Sequence, residues 1–174
     1  MDILSHGLWG SVAFGRKNRR DFWASFFFGV APDLFSFGLF TLFMVLGLTS
    51  GPEWVGGPPP ESSILSYVHT LYDVTHSLIV FALVYLVVFA VWRKHYLPLF
   101  AWPLHILVDI PTHSAAFFPT PFLWPLAPSV QINGIPWAHP IIFIPNIVLL
   151  VLIYFYFFYW RPRQRASGVS TFTR

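Results

Sequence analysis

Four long apolar runs alternate with short polar breaks along this chain. Residues 22–48 hold one charge, Asp33; residues 64–92 hold Asp73 with His69 and His76; residues 96–112 hold His105 and Asp109; residues 141–160 hold none. Each run approaches the roughly 20 residues that an α-helix needs to cross a bilayer, so the pattern predicts four spanning helices. Pro98, Pro103 and Pro111 interrupt the third run, which predicts a short, kinked helix there. Residues 1–15 are apolar but short for a crossing, and they lack the basic start and cleavage pattern of a signal peptide. They predict a short helix packed into the bundle.

The connections differ in kind. Residues 51–63, rich in Gly and Pro, read as an outer loop. Residues 114–138 carry five prolines and the aromatics Phe117, Phe118, Phe122, Trp124 and Trp137, with few polar residues. Such a segment is too apolar for a free loop and is expected to fold onto the bundle as a cap or re-entrant piece. The expected fold class is all-α: a polytopic transmembrane helical bundle of four spanning helices, a short N-terminal membrane-embedded helix and a Pro/aromatic-rich outer loop. Residues 1–160 form one membrane domain on this reading, and 161–174 a polar tail.

Composition strengthens the membrane assignment. The chain is 56% hydrophobic and only 10% charged, against about 25% charged in soluble domains. Its basic residues Arg16, Lys17, Arg19, Arg20, Arg93, Lys94, Arg161, Arg163, Arg165 and Arg174 all fall on one side if the chain crosses four times, while 49–63 and 113–138 contain none. That is a positive-inside pattern and predicts an inner (plasma) membrane, multi-pass protein with a cytoplasmic C-terminus. The net charge of +3 thus serves topology and does not indicate a nucleic-acid partner. With no cysteine, any metal must be held by nitrogen and oxygen.

Ionisable residues inside such segments are costly and by default mark a functional site. His105 and Asp109 sit at i and i+4 and share a helix face. At 1.5 Å rise per residue from the nearest basic residue, His6 lies about 15 Å deep, His105 about 17 Å, Asp33 about 20 Å, Asp109 about 23 Å and His76 about 26 Å. Five ionisable residues from four segments therefore fall in one slab, with Asn146 at a similar depth. His and carboxylate together suit zinc or a similar divalent cation. His69, Asp73 and His113 come out nearer the outer surface. His69, Asp73 and His76 would share a face if one helix continued through them.

Ser5-His6, Ala31-Pro32-Asp33, Thr75-His76-Ser77, His105-x3-Asp109-x2-Thr112 and Thr120-Pro-Phe-Leu-Trp124-Pro125-Leu126 resemble the bacterial family of inner-membrane proteins named as metal-dependent hydrolases. The resemblance runs over roughly residues 2–150. It implies a metal site whose ligands are His6, Asp33, His76, His105 and Asp109. The chain departs from the family where a second acid often follows Pro-Asp, here Phe35, and where His-Arg-Gly often precedes Thr-His-Ser, here Leu71-Tyr72-Asp73. Losing that Arg removes a natural phosphate or carboxylate contact.

Three functions follow as expectations. The first is a metal-dependent hydrolase acting on a lipid or lipid-linked ester or phosphoester, with Asp73 or Asp33 as general base and Asn146 or Ser77 orienting the ligands. The second is a non-enzymatic accessory subunit of a membrane complex with a structural His/Asp cluster. The third, a proton or metal transporter, is disfavoured by the lack of a repeat and the apolar stretch from Leu97 to Leu104.

Overall fold

The computed structural model describes residues 1–50 and 64–162. The predicted outer loop 51–63 and the tail beyond Pro162 lie outside those residues. Everything described is helical or irregular, with no strand.

Helix α1 covers Ile3–Phe14, and the Asp2 carboxylate caps it by accepting from Ser5 N. Asn18 caps α2, Arg19–Asp33, in the same way through Asp21 N. Pro32 removes one helical N–H near the end of α2, and the backbone widens into a π-turn over Leu34–Gly38 before α3, Leu39–Val45. Together they form one apolar helix, Arg19–Val45, long enough to cross a membrane. Helix α4, Ser66–Thr75, and α5, Leu78–Trp92, meet at an angle of 59°. His76 lies at that break, and Ser77 Oγ restarts the helix by accepting from Ile79 N and Val80 N. Leu97–Phe100 is a 3₁₀ turn leading into α6, Ala101–Thr112. Helix α7, Pro140–Tyr154, continues as a π-turn to Trp160 and is the second helix long and apolar enough to span.

By length and composition there are thus two spans among the described residues, or three if the bent α4–α5 pair crosses once. The third predicted crossing, residues 96–112, is instead a four-residue 3₁₀ turn followed by a twelve-residue helix. It falls short of the length of a spanning helix and packs against α1, α2 and α5.

The interior is polar and the outside apolar. Ser5, His6, Ser11, Ser25, Asp33, Ser36, His76, Ser77, His105, Asp109, Thr112 and Asn146 are all buried, while Leu86, Val87, Val91, Val148, Val151 and Leu152 are exposed. In water this would be the wrong way round; in lipid, buried polar contacts and close backbone packing are what hold helices together. Helix α1 lies against α2 and α6 through small residues. A Cβ on Gly10 would stand 2.7 Å from Ala101 Cβ and 2.8 Å from Ser25 O. One on Gly29 would strike the His6 carbonyl. A second, apolar cluster forms from Phe40, Ile64, Val68, Tyr72 and Phe118.

Phe118 belongs to the segment between α6 and α7, which folds back onto the bend. Leu78 N donates to Phe122 O at 3.0 Å, Tyr72 Oη to Phe118 O at 3.0 Å, and Ser77 Oγ to Trp124 O.

Because α1 and α2 touch backbone to backbone at Gly29, Gly29→Leu is expected to destabilise the bundle by about 1–3 kcal/mol or more. Gly38→Ala meets only the rotatable Leu34 side chain and should lower the unfolding midpoint in micelles far less. Equal midpoints for the two variants would contradict this packing.

Candidate metal centre

Four side chains from three parts of the fold converge inside the bundle. Asp33 comes from the end of α2, His76 from the break between α4 and α5, and His105 and Asp109 from one face of α6. One ligand atom from each lies within 4.8 Å of all the others, and all four residues are buried. This group could hold a metal ion.

The hydrogen bonds fix which atoms point inward. His105 Nδ1 lies 2.7 Å from Gly29 O, and His76 Nδ1 lies 3.1 Å from Tyr72 O. A carbonyl only accepts, so both rings carry their proton on Nδ1. In neutral rings both Nε2 atoms then present lone pairs, and they face each other at 3.0 Å. Main-chain carbonyls holding the far nitrogen are a common support for metal-ligating histidines. Tyr72 stacks on the His76 ring at 3.8 Å between centroids, and Thr75 Oγ1 contacts His76 Nδ1 at 3.1 Å.

The carboxylates complete the figure. Asp33 Oδ1 stands 3.4 Å from His76 Nε2 and 3.8 Å from His105 Nε2. Asp109 Oδ2 stands 3.1 Å from His105 Nε2 and 3.7 Å from His76 Nε2. A tetrahedral ion with bonds of about 2.1 Å sets ligand–ligand edges of about 3.4 Å. Five of the six edges of this quartet lie between 3.0 and 3.8 Å. Asp109 Oδ2 has no well-angled hydrogen bond although it is buried. Two carboxylates sit within 4.8 Å of each other in the interior. Unneutralised, such burial costs several kcal/mol per ion.

His6 stands beside the quartet rather than in it. Its Nε2 is 2.8 Å from Asp109 Oδ1, the oxygen turned away from the other imidazoles, and its ring stacks on His105 at 3.6 Å. His6 Nε2 nonetheless has no well-angled hydrogen bond. The Met1 amino group and His113 Nδ1, the latter at 3.4 Å, also approach Asp109 Oδ1. Asp109 is therefore gripped on one oxygen and open on the other. His113 escaped the depth count, which placed it near the outer surface; the i+4 progression His105, Asp109, His113 was the available signal.

Asp73 does not join the centre. It lines a separate cavity of about 240 Å³ with His69, Tyr72, Phe118 and Trp124. The shared face of His69, Asp73 and His76 assumed a continuous helix, but α4 stops at Thr75 and the chain bends. Ser77 and Asn146 take structural roles. Ser77 caps α5, while Asn146 Oδ1 accepts from Trp9 Nε1 at 2.8 Å and its Nδ2 donates to Ser5 Oγ at 2.8 Å.

A cavity of about 440 Å³ adjoins the centre. Of the quartet, Asp33 alone lines it, together with His113, Asp2 and the apolar Ile3, Leu4, Phe37, Phe117, Phe118 and Trp137.

No protein-family profile, no curated protein and no solved structure matches this chain.

The quartet predicts about one equivalent of divalent metal in purified protein. Asp109→Ala should reduce it to background in elemental analysis, and a chelator should lower the unfolding midpoint of the native chain alone. Metal retained in full by Asp109→Ala would remove the centre from consideration.

Proposed function

We propose that this chain is an integral membrane, metal-dependent hydrolase. Support comes above all from a buried group of two imidazoles, their Nδ1 atoms committed to carbonyls, and two carboxylates, one of which, Asp33, borders an open cavity. Of the five ligands that the resemblance to bacterial membrane-bound hydrolases implies, Asp33, His76, His105 and Asp109 make up the quartet, and His6 stands beside it. On this reading the chain crosses the inner membrane with its C-terminus in the cytoplasm. The 97–112 helix serves as the ligand-bearing piece at the centre of the bundle.

Zinc is the first candidate, since it favours tetrahedral nitrogen and oxygen sites. A divalent cation held by His76, His105 and Asp109 supplies Lewis acidity and an activated water. Asp33 has the role of general base, because it is the one member of the quartet that borders the open cavity. It takes the proton of the attacking water and passes it to the leaving group. His6 and His113 steady Asp109 from behind, as partners of ligating carboxylates do.

A second reading has one observation in its favour. Four protein donors fit a closed tetrahedron, which is the mark of structural rather than catalytic zinc. The accessory-subunit function belongs to that case. Cobalt substitution separates the two: an exchangeable water in the cobalt spectrum supports the hydrolase, and four protein ligands without one support the structural centre.

Asp33→Asn is expected to keep most of the metal and to lower turnover of an ester substrate by about 10²–10⁴-fold. Loss of metal together with activity would make Asp33 a ligand instead of the base.

A further inference from the structure

The cavity beside Asp33 narrows the substrate. We infer that it receives the acyl chain of an uncharged carboxylic ester, and that phosphate esters are excluded. This inference rests on the hydrolase reading above.

Shape and lining argue for a chain. The cavity of about 440 Å³ falls within the usual range of ligand sites, roughly 300–1,000 Å³. Its wall combines Asp2, Asp33 and His113 with the apolar Ile3, Leu4, Phe37, Phe117, Phe118 and Trp137. Asp33 Oδ1 is 3.4 Å from His76 Nε2. A reacting group beside Asp33 is therefore at the metal centre, with aromatic and aliphatic side chains at hand for an apolar tail. Ile3 and Leu4 are themselves 38% and 65% exposed, so the cavity reaches the surface beside apolar side chains.

Charge argues against phosphate. Among the described residues no Lys or Arg lines this cavity. Arg16, Lys17 and Arg19 sit at the far ends of α1 and α2, Arg93 and Lys94 follow α5, and Arg161 follows α7. Asp2, Asp33 and Asp109 bring three carboxylates to the site. A divalent ion and the Met1 amino group only balance them, leaving no net positive charge for an anionic ester. Tyr72 Oη is spent on Phe118 O and gives no substitute for an Arg fork.

The reaction balances without a further reactant. Water's oxygen bonds to the acyl carbon and the acyl C–O bond breaks. One water proton stays with the acid, and the other passes through Asp33 to the alcohol.

The test uses the full chain in lipid nanodiscs, loaded with zinc and checked by elemental analysis. Probes are dodecyl trifluoromethyl ketone, whose hydrate mimics the tetrahedral adduct, dodecylphosphonate, and trifluoroacetone as a chainless control, with binding followed by fluorine NMR and competition. The ketone is expected to bind at least about tenfold more tightly than the phosphonate. Ile3→Trp, which fills the mouth, should weaken the dodecyl ketone about tenfold and leave metal content and trifluoroacetone unchanged. Tighter binding of the phosphonate, or a dodecyl affinity indifferent to Ile3→Trp, overturns the substrate class while the metal centre stands. Wild-type protein without zinc overturns the centre and this inference together.

Discussion

His76 and His105 each give their Nδ1 proton to a main-chain carbonyl, of Tyr72 and Gly29 respectively, and much of the fold is arranged so that those carbonyls are in reach. The Gly29 carbonyl belongs to α2 at the point where α1 crosses it with no side chain between. The Tyr72 carbonyl lies in the last turn of α4, and that turn is anchored twice more. Thr75 Oγ1 reaches Pro32 O at 3.1 Å, and Trp102 Nε1 donates to Thr75 O at 2.6 Å. Helices α2, α4 and α6 are thus tied together by polar contacts around the two rings, where a soluble protein would use a hydrocarbon core.

That exchange of roles follows from the solvent. Lipid tails give no hydrophobic reward for bringing Leu or Phe inside, so small residues, hydroxyls and imidazoles do the joining. Ser11 Oγ on Phe22 O at 3.2 Å, from α1 to α2, and Asn146 Nδ2 on Ser5 Oγ at 2.8 Å, from α7 to α1, are ordinary examples. The Asp/His quartet is the same tactic with ionisable groups included, and one member of it, Asp33, borders a cavity.

The sequence was most informative where a regular helix carried the residues. His105 and Asp109 sit four apart on an unbroken α6, so their shared face could be read directly. Asp33 was legible from its depth, although the π-turn that follows it was not. His6 was placed at the right level but assigned to the ion; only coordinates distinguish the two oxygens of Asp109, one of which His6 contacts. Asp73 lies apart from the quartet, because the helix that would carry it onto the face of His76 ends at Thr75. Within Tyr-Asp-Val-Thr-His-Ser the one local signal of the break is Ser77, the N-cap of α5; the 118–124 segment that also holds the bend is distant in sequence. The third predicted crossing differs for a related reason: hydropathy counts apolar residues and does not register the 3₁₀ turn that leaves α6 only twelve residues long.

Helix α7 is joined differently from its neighbours. Along Pro140–Tyr154 only Asn146 and Leu150 are buried, and Asn146 holds both Trp9 and Ser5 of α1. The rest of α7 presents Val, Leu and Ile outward. Such a helix is stable in lipid by itself, satisfied by its own backbone hydrogen bonds. During assembly it can insert independently and dock last. Asn146 then acts as a register pin, selecting one rotation and one depth of a featureless apolar rod against the bundle.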